Sequence, residues 1–243
     1  NYSRFWAPYF TWVVTTYSWM PELYKKIGQP KAIRSQWAAN INIYKPLPWS
    51  ESVEPPEVSF VGGWSSPREK ILSILKKAGI NVVAYGSGWP AGRVSEQKML
   101  EIFANSKINL ALNPPPGYFN KNSLGRLFFK RSINKIVPDF HLFSNWQSWL
   151  HRGIPQIKAR HFEIPACGGF LITSMADDLG SYYKIGEEII IYKNLNDLIK
   201  KIKYFLNHNE ERKKIAKAGY ERTIRDHTYT KRFQEIFRIM KLI

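Results

Sequence analysis

The chain has almost no cysteine: Cys167 stands alone among 243 residues. An internal disulfide is therefore impossible, and no Cys/His spacing matches a zinc site. Long apolar runs are missing too. No window approaches the roughly 18 consecutive apolar residues of a membrane span, and Pro8 and Pro21 interrupt the apolar stretches near the start. The opening Asn1-Tyr2-Ser3-Arg4 has neither Met nor a secretory pattern, so the sequence reads as a fragment or trimmed chain of cytoplasmic location. Acidic residues are scarce. Against 36 Lys and Arg stand 19 Asp and Glu, a formal charge of +17. Such a balance draws polyanions: nucleic acid, anionic lipid headgroups or phosphorylated small molecules. Much of it lies in KKIKYF and ERKKIAKAGYERTIR, where a solvated helix face is the plainer reading. The rest suits peripheral contact with the inner face of an anionic membrane.

What is present suffices for a packed fold. Hydrophobic residues make up 44% and aromatics 15%, which excludes a disordered chain. The length suits one large or two small domains. Residues 1–45 read as the tail of a first domain, with a strand in FTWVVTT, a short helix from Met20 to Ile27 stopped by Gly28, and a second short strand in AIRSQWAAN. Residues 46–57, rich in proline, read as a linker. Residues 58–243 alternate strand and helix. VSFVGG is a strand; Ser65-Ser66-Pro67 offers a hydroxyl cap and a first-turn proline for the helix that Gly79 stops. NVVAYG is the next strand, Ser95 caps the helix SEQKMLEIFANS, and INLAL follows. EEIIIY, the helix LNDLIKKIKYFLNH and two further basic helices close the chain. This alternation predicts a doubly wound, Rossmann-like parallel sheet with helices on both faces. The stretch from about 113 to 153 breaks the pattern. It holds PPPGYF, LGRLFFKR, DFHLF and NWQSWL, far longer than an ordinary connection, and reads as an insertion with helices of its own. It is either a packed subdomain or a lip for an acceptor or a membrane.

QIKARHFEIPACGGFLIT (Gln156 to Thr173) is the most informative segment. Ile157, Phe162 and Ile164 give a partial apolar face, Cys167-Gly168-Gly169 breaks the helix, and Phe170 to Ile172 is a short buried strand. Glu163 sits one turn before the break, beside Lys158 and Arg160. A carboxylate next to two cations at the edge of a parallel sheet can bind a ribose hydroxyl beside a diphosphate. On spacing alone, a surface helix with an i,i+3 Arg–Glu pair fits as well.

Phe162, Glu163, Ala166, Cys167 and Gly168 resemble the donor-binding signature of GT-B glycosyltransferases, specifically the group related to the spore maturation protein CgeB and, more distantly, the family-4-like (group 1) transferases. VSFVGG, VVAYGSGW, KINLAL and AGYERTIRDHTYTKRF match further segments of that group in the same order. The resemblance implies a GT-B fold with a remnant of an N-terminal acceptor domain at 1–45 and a nucleotide-sugar donor domain at 58–243. It also implies transfer of a sugar from a nucleotide-diphospho-sugar to an unidentified glycan, lipid or protein acceptor. The nucleotide-sugar would be a substrate, and no cofactor or metal is expected. There is no Asp-x-Asp motif, and Asp177-Asp178 read as a helix cap.

The expected contacts follow from the ligand's three handles. Gly62 and Gly63 let backbone amides approach phosphate oxygens at a helix N-terminus, where Arg68 adds a charge. Two adjacent glycines also fit a plain tight turn. Tyr85, Gly86, Gly88 and Trp89 would meet the base, with Trp89 either stacking or packing in the core. Lys158 and Arg160 would neutralise the leaving diphosphate, as metal-independent transferases require. Glu163 would take the ribose, and Gly168 completes the turn. Family-4 transferases carry a second glutamate eight positions earlier; that position is Pro155 here, so the sugar and the stereochemistry are left open. His151 and His161 lie nearby, and His161 reads as packed or facing water rather than as a base. No catalytic base is assigned, and the resemblance leaves donor binding without turnover as an expectation for the fragment alone. Two rivals stand beside this reading: a basic nucleic-acid-binding module, disfavoured by the absence of any recognisable motif, and an inactive GT-B relative acting as a binding protein.

Overall fold

The computed structural model describes residues 6–52, 54–113, 121–132, 135–150 and 155–243. His151, Gly153 and the PPPGYF stretch of the sequence reading lie outside the described residues. Numbered along the chain, the strands are β1 (Val13–Thr15), β2 (Ala32–Arg34), β3 (Val58–Val61), β4 (Val82–Tyr85) and β5 (Ile108–Ala111). They continue with β6 (Phe129–Ser132), β7 (Lys135–Pro138), β8 (Leu171–Ser174) and β9 (Ile190–Tyr192). The helices are α1 (Met20–Lys26), α2 (Ser66–Lys77), α3 (Glu96–Asn105), α4 (Lys121–Phe128) and α5 (Leu142–Leu150). After them come α6 (Arg160–Ala166), α7 (Leu195–Asn207), α8 (Asn209–Asp226) and α9 (Tyr229–Ile239). Two compact units interleave along the chain: Gln36–Asn113 with Ile157–Ile243, and Asn1–Ser35 with Pro114–Gln156.

The larger unit is built on a parallel five-stranded sheet in the order β4-β3-β5-β8-β9. Side chains alternate across it because successive strand residues point to opposite faces. Val58, Phe60, Ile108, Leu110, Ile172 and Ile190 join one core with Leu75 of α2 and Leu198, Ile202 and Phe205 of α7. Ala111, Leu171 and Ile189 face the other way, onto Leu100 and Phe103 of α3 and Phe162 and Ile164 of α6. The polar pair on this second face is satisfied: Ser59 Oγ donates to Asn109 Oδ1 at 3.0 Å, and Asn109 Nδ2 donates to the Phe103 carbonyl at 3.0 Å. The chain leaves β3 for β4 on one side and returns to β5 on the other. The switch point of the sheet therefore lies between β3 and β5, where α/β proteins open a crevice beyond the strand ends.

Local chemistry sets the boundaries. Ser95 caps α3 as expected, accepting from the Lys98 N–H. Ser65 occupies the N-cap of α2 but its hydroxyl accepts no cap bond. Pro67 removes one of the two N–H groups that an N-cap side chain ordinarily meets. Asp178 does not cap a helix through a backbone bond either; it precedes the 3-10 turn Leu179–Ser181 at φ 59°, and Ser181 Oγ donates to its Oδ1 at 2.5 Å. Residues 36–51 are fastened along the unit. Ala39 exchanges backbone bonds with His227 and Tyr229, Asn105 Nδ2 donates to the Leu47 carbonyl, Ser50 Oγ donates to Glu101, and Lys98 pairs with Glu51 over the Trp49 ring.

In the smaller unit β1 and β2 pair in parallel around α1, a short βαβ turn. The insertion does carry its own helices, α4 and α5. It also carries an antiparallel hairpin, β6–β7, whose residues do not alternate clearly enough to predict it.

Candidate functional site

The carboxyl ends of β3 and β4 are tied into one loop cluster. The Gly62 N–H donates to the Tyr85 carbonyl at 2.9 Å, and the Trp64 N–H to the Ser87 carbonyl at 2.8 Å. Gly86 sits at φ 134°, and a Cβ there would lie 2.4 Å from the Gly62 carbonyl oxygen. Only glycine lets these two turns touch. Gly88, at φ 84°, is pressed against Trp64 in the same way. Trp89 is part-buried, edge-on to Phe60 with centroids 6.1 Å apart, and its Nε1 donates to the Gly62 carbonyl at 2.8 Å. Its indole thus fastens the loop from within. Trp64, which the sequence reading passed over, is the exposed indole of this cluster.

Arg68 spans the switch point. From the first turn of α2 its Nε donates to the Leu112 carbonyl beyond β5 at 3.1 Å, and its Nη1 to the Gly63 carbonyl beyond β3 at 2.7 Å. Burial pulls its guanidinium below the ordinary arginine value. A Cβ at Gly63 would meet nothing within 4 Å, so there is open space at this strand end. One residue past Leu112, the Asn113 Nδ2 is buried and has no hydrogen-bond partner among the described residues. A charged fork and open space therefore meet at the crevice position, with the unpartnered Asn113 amide one residue beyond Leu112.

The second cluster is organised by α6. Its end is a Schellman motif: the Gly168 N–H donates to the Pro165 carbonyl at 2.8 Å and the Gly169 N–H to the Ile164 carbonyl at 3.0 Å. Gly168 takes φ 77° there, which makes it a turn residue. A Cβ on Gly169 would lie 2.3 Å from the Phe103 carbonyl oxygen. The start of α6 is fixed by His161, which is fully buried. Its Nδ1 accepts from the Lys158 N–H at 3.1 Å, and its Nε2 lies 3.0 Å from Thr173 Oγ1. Thr173 in turn donates to the Ala111 carbonyl at 3.1 Å. The His161 Nδ1 also lies 3.0 Å from the Lys158 carbonyl, so both ring nitrogens are engaged in either neutral tautomer. Burial pushes the imidazole from 6.5 down to about 4. Of the two places the sequence left open for His161, core or water, the structure shows the core, where it is a positioning group.

Glu163 is buried and ion-paired with Arg160. Arg160 also lies over the Phe103 ring at 5.1 Å. Tyr44, from the fastened 36–51 segment, gives its hydroxyl to the Glu163 carboxylate; burial, then that bond, raise its pKa. Burial and the nearby Glu163 charge also raise Tyr229. Cys167 is buried and pushed up to about 12, by desolvation first and the Glu163 charge second. Lys158 is exposed. The two clusters meet at the end of β5, where Ala111 accepts from the His161–Thr173 chain and Leu112 accepts from Arg68. No local signal in the sequence could have found Tyr44, because its partner comes from a distant part of the chain.

Comparison with known proteins agrees with this geometry. The model of the glycosyl transferase-like family matches residues 68–238. Spore protein CgeB of Bacillus subtilis is 37% identical over 70 residues, covering 29% of this chain and 20% of CgeB. Sucrose-phosphate synthase of Thermosynechococcus elongatus superposes with a TM-score of 0.63 at 12% identity, over 98% of this chain and 60% of the synthase. The HepE protein of Anabaena, solved with UDP and glucose, gives a TM-score of 0.62 at 11% identity, over 98% of this chain and 65% of HepE. The chain thus spans a fifth of CgeB and less than two thirds of these structures. At such identities the superpositions establish the fold, which is that of GT-B glycosyltransferases. With its parallel sheet, its glycine-tied strand ends and a matched segment running from Arg68 through α9, this chain belongs to the glycosyl transferase-like family.

Proposed function

We propose that the chain is the donor-binding part of a glycosyltransferase that moves a sugar from a nucleotide-diphospho-sugar to an acceptor. The observation that carries this is Arg68 across the switch point, beside the open space at Gly63 and the unpaired amide of Asn113. A desolvated guanidinium with N–H donors to spare gains most from an anionic oxygen, and a diphosphate supplies several. Arg68, Lys158 and Arg160 would then meet the charge that develops on the leaving nucleoside diphosphate, so that side chains do the neutralising. Glu163 would accept from the ribose diol. The loop from Tyr85 to Trp89 would receive the base through its backbone and the Gly62–Gly63 turn would cradle phosphate oxygens, with Gly86, Gly88 and Gly168 setting the loop shapes. That HepE was solved with UDP and with UDP-glucose supports a nucleotide-sugar of this kind.

The test is calorimetric titration of the chain with UDP, GDP, ADP and dTDP, repeated with Arg68→Ala and Glu163→Gln. Saturable binding of one nucleotide, weakened about tenfold or more by each substitution, is expected from the loss of a charged hydrogen bond of roughly 1.5–3 kcal/mol. Binding that Glu163→Gln leaves unchanged would remove that residue from the ribose assignment. If none of the four nucleotides binds, the reading of this crevice as a donor site is wrong for the chain as it stands.

A further inference from the structure

The smaller unit carries a helix turned inside out. On α5, Leu142, Phe143, Trp146 and Leu150 follow helical spacing along one side, and they are 51%, 77%, 51% and 49% exposed. Among the described residues of α5, the buried one is polar. Asn145 is buried, and its Nδ2 donates to the Leu127 carbonyl of α4 at 3.0 Å. Phe140, just before the helix, is 87% exposed, and Ile136 on β7 is 76% exposed. Water alone would select the opposite arrangement, so the outward stripe calls for an occupant.

Charge decides which occupant. Residues 121–150 carry Lys121, Arg126, Lys130, Arg131 and Lys135 against the single acid Asp139, a balance of five cations to one carboxylate. Two copies meeting through this segment would bring together stretches of the same net sign. An anionic phospholipid surface satisfies both features: apolar side chains enter the acyl boundary while cations stay among headgroup phosphates. No described helix is long and apolar enough to cross a membrane, so the attachment is in the plane of the interface. We propose that the α5 stripe, with Phe140 and Ile136 beside it, is a docking surface for an anionic bilayer.

Vesicle co-sedimentation of the whole chain tests this, using phosphatidylglycerol–phosphatidylethanolamine vesicles and phosphatidylcholine vesicles side by side. The chain should pellet with the anionic vesicles and at least tenfold less with the zwitterionic ones, and added salt should release it. Phe140→Ser with Phe143→Ser should lower the anionic partition at least tenfold without changing circular dichroism, since both rings are already in water. No binding to anionic vesicles, equal binding to both kinds, or an unaffected double variant would overturn the proposal. So would sedimentation velocity showing a vesicle-free dimer that the double variant abolishes, which would assign the stripe to a second copy.

Discussion

Lowering the pH from 6.5 towards 4 should unfold the larger unit through two imidazoles, His161 and His227. Burial is the largest cause that carries each from 6.5 to about 4. His161 is further lowered by the Lys158 charge and partly restored by its bond to the Lys158 backbone. His227 faces Arg232 and Arg222, which lower it, while Asp226 and its bond to the Tyr182 carbonyl raise it. In the unfolded chain both rings titrate near the ordinary value, about 6.5. Between the two values the unfolded chain binds more protons, so stability increases with pH across this window and is lost as pH falls through it. Each imidazole then accounts for roughly 3 kcal/mol in full, at a slope approaching about 1.4 kcal/mol per pH unit. Two such groups rival the roughly 5–15 kcal/mol that holds an ordinary domain. Glu101 and Asp197, whose pKa values are lowered, lose their contribution only below 4.5 and 3.8, so the window above 4.5 belongs to the histidines. Urea midpoints followed by circular dichroism across that window measure the slope, and His161→Gln or His227→Gln should each remove about one proton from it. A midpoint that stays flat from pH 6.5 to 4.5, or slopes unchanged in both variants, would refute the reasoning.

Other consequences are simpler to state. Gly86→Ala should cost about 2–5 kcal/mol, combining positive-φ strain with the clash against the Gly62 carbonyl. Gly92→Ala, at φ 67° with nothing within 4 Å, should cost only the strain. Chemical denaturation distinguishes the two, and equal losses would contradict the contact geometry. Trp89→Phe deletes the bond to the Gly62 carbonyl and should lower stability by about 0.5–1.5 kcal/mol, which the same measurement reads. Cys167, fully buried and pushed up to about 12, should resist thiol reagents at pH 8 in the native state and react at once in urea. Rapid native labelling would show that α6 opens.

Residues 58–113 and 157–243 were readable from sequence because both apolar periods are clean there. Ser59 and Asn109 mark the polar face of β3 and β5 beside Phe60 and Leu110, and α3 and α7 keep their inward residues at helical spacing. The strand after the signature runs from Leu171 to Ser174 rather than starting at Phe170, since Gly169 and Phe170 are still leaving the Schellman turn. The hairpin β6–β7 escaped because Ile136 and its neighbours face solvent, so no buried face imposes a period of two. The site was legible only in part. Gly62, Gly63, Arg68, Tyr85, Gly86, Gly88 and Trp89 fall into one cluster because neighbouring strand ends bring them together. Of the two readings open for Trp89, packing is the one the structure shows, since its ring lies edge-on to Phe60, while Trp64 is the exposed indole beside Gly88. Tyr44 lies just before the stretch whose prolines read as a linker, and its bond to Glu163, like the ties of Leu47 and Ser50 to α3, depends on partners distant in sequence.

The surroundings of Glu163 argue for binding rather than proton transfer. A carboxylate offers about four acceptor positions; Arg160 takes one and the Tyr44 hydroxyl another, which leaves acceptors for a ribose diol. A general base needs a pKa near the working pH. Among the groups that face or adjoin this carboxylate, Tyr44 and Tyr229 are raised above the ordinary phenol value and Cys167 stands at about 12. His161, at about 4, has both ring nitrogens engaged. Each is locked in its neutral form across the range where a transferase works, and each that points at Glu163 can only donate. Such a shell holds one anion in one orientation at little reorganisation, which suits recognition of a fixed pair of hydroxyls. None of these groups is therefore poised to remove a proton near neutral pH, and on the donor-site reading proposed above the free acceptor positions of Glu163 are what a pair of hydroxyls would meet.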